Sequence, residues 1–214
     1  MVLGIYGSGG CGREVRDIAE LLGTWKEIVF IDDIAEEGMF KGIERMSFRS
    51  FIQRYNPKSA HVIIAVGEPK DREDLYNKVK EKGYSFANVI HPLAWISPLA
   101  KLGQGILIKA WAVISCDTIV EDNVRIETFV VVGHDCIVRR GCQLSPNVTM
   151  GGRSEIGSGT YIGINVPIKE DIRIGAGSVV GMGSVVLRDI PDNVIALGNP
   201  ARAMKHKDES KVFK

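Results

Sequence analysis

The sequence lacks several features that would assign it to a specialised class of protein. Its formal net charge is only +1, so no global field attracts it to nucleic acid or to an anionic membrane. No apolar run approaches the roughly 18 residues of a membrane span, and the apolar stretch 2–6 is short for a signal peptide. With four cysteines and no C-x-x-C pair, a zinc site built on cysteines is not expected. We therefore expect a cytoplasmic chain with reduced thiols and no metal.

Glycine is the residue type in excess. The 24 glycines cluster in residues 4–12 and again from Gly103 onward. This division indicates two architectures, and 214 residues are enough for two small domains. We predict one domain over residues 1–91 and a second over residues 92–214.

The second half of the chain contains a strict repeat. An aliphatic residue or Met recurs every six residues from Ile96 to Val186 without an insertion. A helix would repeat near 3.6 and a single strand at 2, so a period of six predicts a β-solenoid. A second set of small or β-branched residues, from Ile106 to Ser184, precedes the aliphatic positions by two residues and shares their inward face. Glycine often follows the aliphatic residue, and we expect these glycines to adopt positive φ at the corners.

The first half has the pattern of a small doubly wound α/β domain. A strand at Val2–Tyr6 precedes the glycine loop 7–12 and a helix over 13–22, so the loop has the G-x-G-x-x-G pattern in its usual context. A strand at Glu27–Ile31 leads into Asp32, at the spacing from the loop where a carboxylate can meet a ribose hydroxyl. A third strand is predicted at 62–66 and a helix at 71–82. The domain is short for a dinucleotide, which favours a nucleotide-sugar over NAD.

Seven stretches in order resemble a known family, the bacterial nucleotide-sugar acetyltransferases of the sialic-acid O-acetyltransferase type. The stretches are Gly7-Ser-Gly-Gly-Cys-Gly-Arg-Glu-Val15, Phe30-Ile-Asp-Asp33, Ala65-Val-Gly67, Val89-Ile-His-Pro92, Gly133-His-Asp-Cys136, Leu144-Ser-Pro-Asn-Val148 and Gly198-Asn-Pro-Ala-Arg202. The resemblance covers nearly the whole chain. It implies that the solenoid is a left-handed parallel β-helix, that the chain forms a homotrimer, and that acetyl-CoA binds between neighbouring subunits.

The resemblance also implies the substrate and its site. Family members N-acetylate UDP-, dTDP- or GDP-linked 4-amino sugars for surface polysaccharide or glycan biosynthesis. The residues that this assigns to nucleotide-sugar binding are Gly7, Ser8, Gly9, Gly10, Cys11, Gly12, Asp32, Asp33, Gly67 and Glu127. Two of them depart from the family, which commonly has His at position 11 and Asn at position 127. Both departures concern the sugar rather than the repeat.

The residues for acetyl transfer are predicted on one corner of the solenoid. His134 is the one histidine within the repeat and lies outside the inward positions, so it is the candidate general base. The family places an orienting acid at Asp135. The resemblance implies three faces and eighteen residues per coil, which would stack Gly152 on His134 and makes its N–H the candidate oxyanion donor. Cys136 and Cys142 are inward-facing, so we expect direct transfer without an acyl-enzyme.

The end of the solenoid is the predicted site for acetyl-CoA, together with Gly152. In similar proteins the corresponding turn lies near the cofactor, and its residues here are Gly198, Asn199, Pro200, Ala201 and Arg202. Arg202 is suited to meet CoA phosphates. We expect the trimer contact to include Val130–Val132 and Ile164, and the charged tail 206–214 to fray.

Other functions remain open at this point. O-acetylation of a sugar hydroxyl is the main alternative, and the residues fit uracil, thymine or guanine as the base. An NAD-dependent oxidoreductase would use the glycine loop but leaves the repeat without a role. A β-helical zinc hydratase needs three histidines at one metal, and the repeat has one. A scaffold without turnover does not account for His134 and Asp135.

Overall fold

The chain consists of two compact units. A computed structural model describes residues 1–206 and 212. The first unit comprises Met1–Gly67 and Asp71–Val89, and the second comprises Glu68–Lys70 and the chain from Ile90 onward. Of the tail that we expect to fray, residues 207–211, 213 and 214 lie outside the described residues.

The first unit is an α/β domain with a central six-stranded sheet. Its elements are β1 (Val2–Tyr6), α1 (Gly10–Leu22), β2 (Glu27–Ile31), β3 (Gly38–Phe40), β4 (Ile43–Met46), α2 (Phe48–Arg54), β5 (Ala60–Ile64), α3 (Pro69–Glu81) and β6 (Ser85–Phe86). The strand order is β3-β4-β2-β1-β5-β6, with β1 in the middle and parallel to both β2 and β5. None of the described helices is long and apolar enough to cross a bilayer.

The predicted elements of this unit are largely confirmed. Strands β1 and β2 have the predicted bounds, whereas β5 begins and ends two residues earlier than predicted. Helix α1 begins at Gly10 rather than at residue 13, so the last glycines of the loop already belong to its first turn. The hairpin of β3 and β4, which pair antiparallel, was not predicted. The side chains of β1, β2 and β5 form the buried core together with an aromatic cluster around Phe48 and Phe51.

The second unit is a solenoid with parallel strands on three faces, most of them two residues long. Strand β7 (Val89–Ile90) leads into it. The first face contains β10 (Leu107–Ile108), β13 (Arg125–Ile126), β16 (Gln143–Leu144), β19 (Tyr161–Ile162), β22 (Val179–Val180) and β23 (Val194–Leu197), followed by β24 (Arg202–His206). The second face contains β8 (Trp95–Ile96), β11 (Val113–Ile114), β14 (Val131–Val132), β17 (Thr149–Met150) and β20 (Pro167–Ile168). The third contains β9 (Lys101–Leu102), β12 (Ile119–Val120), β15 (Ile137–Val138), β18 (Glu155–Ile156) and β21 (Arg173–Ile174).

The register of these strands confirms the eighteen-residue coil. Val113 pairs with Val131, and Val131 pairs with Thr149, each in parallel register. The aliphatic residues at six-residue steps are fully buried from Ile108 to Val186, whereas Ile96 and Leu102, at the start, are partly exposed. The second inward set, from Ile106 to Ser184, is buried throughout. The repeat therefore forms one continuous core in which each coil stacks on its neighbours.

The expected role of the corner glycines was wrong. Gly133, Gly151 and Gly163, which follow aliphatic positions, do not have positive φ. A Cβ at Gly133 would lie 2.8 Å from the Gly152 nitrogen, and a Cβ at Gly151 would lie 2.5 Å from the Glu170 nitrogen. These positions require glycine because the next coil's backbone passes too close for a side chain.

Positive φ occurs instead two residues further along each corner. It is adopted mostly by non-glycine residues, namely Trp111, Asp117, Asn123, Phe129, Asp135, Asn147, Arg153, Asn165 and Asp171. Asn and Asp tolerate this conformation, but for Trp and Phe it is uncommon. The backbone thus turns at residues that carry side chains outward from the corner.

Candidate active site

His134 and Gly152 lie against each other on one corner of the second unit. His134 follows β14 and Gly133, and its side chain is 48% exposed. A Cβ on Gly152 would lie 2.6 Å from His134 Nε2 and 2.8 Å from Cε1. The imidazole therefore covers the Cα of Gly152, and only glycine leaves room for the ring. The predicted stacking of these two residues, one coil apart, is confirmed in position.

Asp135 holds the other nitrogen of the ring. His134 Nδ1 lies 2.7 Å from Asp135 Oδ2. A carboxylate can only accept a hydrogen bond, so Nδ1 carries the proton of the neutral ring and Nε2 keeps its lone pair. Asp135 has positive φ, and its backbone N–H donates to the Cys116 carbonyl at 3.1 Å. The pair thus presents an unprotonated Nε2 beside Gly152, which is the arrangement a general base needs.

The Gly152 N–H has no hydrogen-bond acceptor within the part of the chain that the structure describes. It is a backbone donor next to the ring of His134, because the ring contacts the same residue. A donor of this kind can stabilise the oxyanion of a tetrahedral intermediate. The corner therefore brings together His134, Asp135 and the Gly152 N–H, the three groups predicted to act in acetyl transfer.

An ion pair that was not predicted borders this corner. Arg153 Nε and Nη2 donate to the two oxygens of Asp171 at 2.6 and 2.8 Å, and the Arg153 N–H donates to the His134 carbonyl at 2.9 Å. This hydrogen bonding raises the pKa of Arg153 and lowers the pKa of Asp171. Steps of eighteen residues, like the one from His134 to Gly152, lead from Asp135 to Arg153 and then to Asp171. The coil length could therefore have predicted that these two residues are neighbours of the corner.

The glycines in the loop of the first unit have different surroundings. Gly7 has a φ of 115° and lies where a Cβ would approach the Ala65 carbonyl oxygen at 2.8 Å. A Cβ on Gly12 would meet the Gly7 carbonyl oxygen. Gly9 and Gly10 face open space, and α1 begins there without a side-chain cap. The loop thus leaves an accessible helix N-terminus, a ready site for a phosphate.

Asp32 organises this loop rather than facing solvent. Its Oδ2 accepts from Ser8 Oγ at 2.5 Å and from the Ser8 N–H at 3.1 Å. Its Oδ1 accepts from the N–H groups of Ile34 and Ala35, both at 3.1 Å. Burial tends to raise the pKa of Asp32, but these hydrogen bonds outweigh it and lower the pKa. All four bonds lie within the chain, which favours a structural role over the predicted contact with ribose.

Asp33 is held in a second network. Its Oδ2 accepts from Lys78 Nζ at 2.6 Å and from the Tyr6 hydroxyl at 2.5 Å, and its Oδ1 accepts from the Phe48 N–H at 2.8 Å. Burial tends to raise the pKa of Asp33, whereas Lys78, Tyr6 and the Phe48 N–H lower it, and the net shift is downward. Sequence patterns gave no sign of Lys78, which lies 45 residues away on α3.

Glu127 is among the most buried charged residues of the second unit. Its Oε2 lies 2.6 Å from Lys109 Nζ and its Oε1 lies 2.6 Å from Arg125 Nε. The side chain is 7% exposed, so both oxygens are engaged away from solvent. This favours a structural role for Glu127, in contrast to the predicted contact with the substrate.

The remaining predicted site residues lie in turns and at the ends of helices and strands within each unit. Cys11 is partly exposed in the first turn of α1, and Gly67 lies partly buried beyond the end of β5. Gly198, with a φ of 103°, begins the turn between β23 and β24. The turn residues Asn199 and Pro200 are exposed, Ala201 is partly buried, and Arg202 is exposed at the start of β24. No hydrogen bond or ion pair between the described residues joins this turn to the His134 corner.

Two family models match the chain. The PglD N-terminal domain matches residues 2–79, and the bacterial transferase hexapeptide (six repeats) matches residues 117–152. A curated relative, the GDP-perosamine N-acetyltransferase of Escherichia coli O157:H7, is 28% identical over 120 residues. That match covers 54% of this chain and spans about half, 54%, of the relative's own length.

Solved structures match over nearly the whole chain. The acetyltransferase domain of PglB from Neisseria gonorrhoeae FA1090, in complex with acetyl coenzyme A, is 32% identical with a TM-score of 0.90. The match covers 95% of this chain and 98% of that chain. PerB from Caulobacter crescentus, in complex with CoA and GDP-perosamine, is 29% identical with a TM-score of 0.86, covering 96% and 98%. The chain therefore belongs to the family of nucleotide-sugar acetyltransferases that join a PglD-type N-terminal domain to a left-handed hexapeptide β-helix.

Proposed function

We propose that the chain transfers the acetyl group of acetyl-CoA to the amine of a nucleotide-linked 4-amino-4,6-dideoxyhexose. The observation that carries this proposal is the His134 corner, where Nδ1 is bound to Asp135 and Nε2 faces Gly152. The relatives support the choice of substrates, because PglB is solved with acetyl coenzyme A and PerB with CoA and GDP-perosamine. Solved variants of the Caulobacter enzyme also hold CoA and GDP-perosamine after replacement of a histidine.

The reaction needs one base and one oxyanion donor. The neutral amine attacks the thioester carbonyl, and His134 Nε2 takes the proton that nitrogen loses. The Gly152 N–H donates to the oxyanion of the tetrahedral intermediate. Collapse of the intermediate breaks the carbon–sulfur bond, and the CoA thiolate takes the proton from the His134 imidazolium. Asp135 stabilises this imidazolium and keeps the ring oriented.

A covalent acyl-enzyme is not part of this mechanism. The two cysteines nearest in sequence, Cys136 and Cys142, are fully buried in the solenoid core. Burial raises the pKa of the Cys136 thiol, which makes it a poorer nucleophile. Direct transfer between two bound substrates is therefore the simplest sequence of steps.

We propose that the enzyme is a homotrimer with its active sites at subunit interfaces. A row of exposed apolar side chains supports this proposal. We call it the aromatic stripe, and it consists of Trp95, Trp111, Phe129 and the neighbouring Val131. The rings of Trp111 and Phe129 stack at 5.1 Å, and both residues have positive φ where later coils have Asn147 and Asn165. Large exposed aromatics in this conformation favour a surface that packs on another subunit.

The residues expected at that contact differ in orientation. Of Val130–Val132, only Val131 is exposed, at 37%, whereas its two neighbours point into the core. Ile164 is 41% exposed. His134 lies three residues beyond Val131 on an open corner, so a neighbouring subunit would supply the second wall of the site.

The remaining assignments follow the chemistry of the substrates. The glycine loop with its accessible helix N-terminus is suited to the nucleotide phosphates, and Arg202 is exposed and suited to the phosphates of CoA. Acetyl-CoA and nucleotide-sugars are cytoplasmic metabolites, and we place the enzyme there, in surface polysaccharide or glycan biosynthesis. No group of three or more metal-binding side chains occurs in the described part of the chain.

A substrate panel tests the proposal. GDP-, UDP- and dTDP-4-amino-4,6-dideoxyhexoses are incubated with acetyl-CoA, and free thiol is followed over time. Matched nucleotide-sugars with a hydroxyl at carbon 4 test O-acetylation in parallel. We expect thiol release with at least one amino sugar and loss of about 10²–10⁴ in kcat for His134→Ala. Thiol release with the hydroxyl sugars alone, or a kcat near the parent value for His134→Ala, would overturn it.

A further inference from the structure

The interior of the solenoid donates hydrogen bonds to the corner that carries His134. Three inward residues spaced one coil apart each bond to a corner carbonyl. Thr118 Oγ1 donates to the Gly133 carbonyl at 2.8 Å, Cys136 Sγ to the Gly151 carbonyl at 3.2 Å, and Ser154 Oγ to the Lys169 carbonyl at 3.0 Å. These bonds tie the corner to the core.

The bond from Cys136 to the Gly151 carbonyl acts on the peptide whose N–H is the proposed oxyanion donor. The carbonyl of Gly151 and the N–H of Gly152 belong to the same amide group. Cys136 is fully buried, and burial raises the pKa of its thiol, so the S–H proton stays in place. An amide whose carbonyl accepts a hydrogen bond is polarised and becomes a stronger donor at its N–H. The Gly152 N–H has no hydrogen-bond acceptor within the described chain, so it is available to an oxyanion.

We propose that Cys136 is a positioning residue for catalysis, because its S–H bond to the Gly151 carbonyl orients and polarises the amide that stabilises the oxyanion. The inference rests on the proposed function, since it assigns the oxyanion to the Gly152 N–H. Cys136 touches neither substrate and acts through this peptide.

The alternative role for Cys136 is simple filling of a narrow core, and Cys142 provides a matched control. Cys142 is also fully buried, and its Sγ donates to the Gly157 carbonyl at 3.0 Å. The peptide that follows Gly157 carries no residue of the proposed site. Thiol, hydroxyl and methyl groups all occur at the second inward set of the repeat, as in Cys142, Thr160 and Val148. Val and Thr have nearly the same shape, and they differ in whether they can donate.

The experiment compares Cys136→Val with Cys136→Thr, and Cys142→Val with Cys142→Thr, in the whole 214-residue chain. Thiol release with the active amino-sugar substrate gives kcat and KM, and thermal melting gives Tm. At position 136 we expect Thr to exceed Val in kcat by about 3- to 10-fold with little change in KM, because the lost bond acts on the transition state. At position 142 we expect the two variants to have the same kcat. Their Tm values should differ to a similar extent at both positions.

The result that overturns the inference is equal kcat for Cys136→Val and Cys136→Thr. Equal Val-to-Thr ratios at positions 136 and 142 would overturn it as well. If the larger side chains prevent folding, Cys136→Ala and Cys136→Ser form a second pair with and without a donor. A failure of the proposed function is distinguishable, because His134→Ala would then retain activity whatever the Cys136 variants do.

Discussion

Replacement of Gly152 by alanine separates the stability of the corner from its chemistry. The backbone of Gly152 does not have positive φ, so alanine can adopt it. The added Cβ would lie 2.6 Å from His134 Nε2 and 3.1 Å from Cδ2, well inside ordinary contact, so the ring must move by about 1 Å or more. The ring is half exposed and can swing toward solvent at little cost. A displacement of this size costs about 10²-fold in rate when it moves a catalytic group.

We therefore expect Gly152→Ala to lower kcat about 10²-fold while Tm falls by only a few degrees. The assay is thiol release, with thermal melting of the same preparation. A double variant with His134→Ala provides the control. If Gly152→Ala acts through the ring, the double variant is no slower than His134→Ala alone. A kcat within about threefold of the parent, or a double variant far slower than His134→Ala, would refute the reasoning.

Three further predictions concern the parts that support the site. Glu127→Ala should lower the free energy of unfolding by about 3–5 kcal/mol in denaturant titration, because it removes the buried counter-charge of Lys109 and Arg125; an unchanged midpoint would contradict this. The pKa of Asp33 is lower in the folded protein than in the unfolded chain, where a carboxyl has a pKa near ~3.9. The ionised carboxylate therefore stabilises the fold above that pH, and this stability is lost as the pH falls through the folded pKa. Asp33→Asn should consequently flatten the acid side of a plot of Tm against pH. Phe129→Ser should shift the enzyme from trimer toward monomer in light scattering, and an unchanged mass would count against the aromatic stripe.

The repeat could be predicted because its geometry repeats. A narrow prism with flat faces requires an inward aliphatic residue at each sixth position, and Ile108 through Val186 meet this requirement without an insertion. The coil length alone then predicts that Gly152 stacks on His134. The hairpin of β3 and β4 gave no such signal, because apolar and polar residues do not alternate along 38–46 as they would in a half-buried strand.

The differences between prediction and structure come from contacts that residue spacing does not reveal. Spacing placed Asp32 at the distance of a ribose hydroxyl, but its oxygens cap Ile34 and Ala35 and hold Ser8. Composition placed glycine at corners for its backbone freedom, whereas Gly133 is required by the close approach of the next coil. The bond from Ser8 to Asp32 and the approach of the Gly152 backbone to Gly133 join positions far apart in the chain, so neither follows from a local pattern.

The proposed mechanism depends on His134 as the general base for transfer of acetyl from CoA to an amine. It is tested most directly by the kcat of His134→Ala with the amino-sugar nucleotide that the parent enzyme turns over, measured by thiol release. We expect kcat to fall by about 10²–10⁴ with Tm unchanged within a few degrees. A variant that folds as the parent does and keeps near-parental kcat would contradict it.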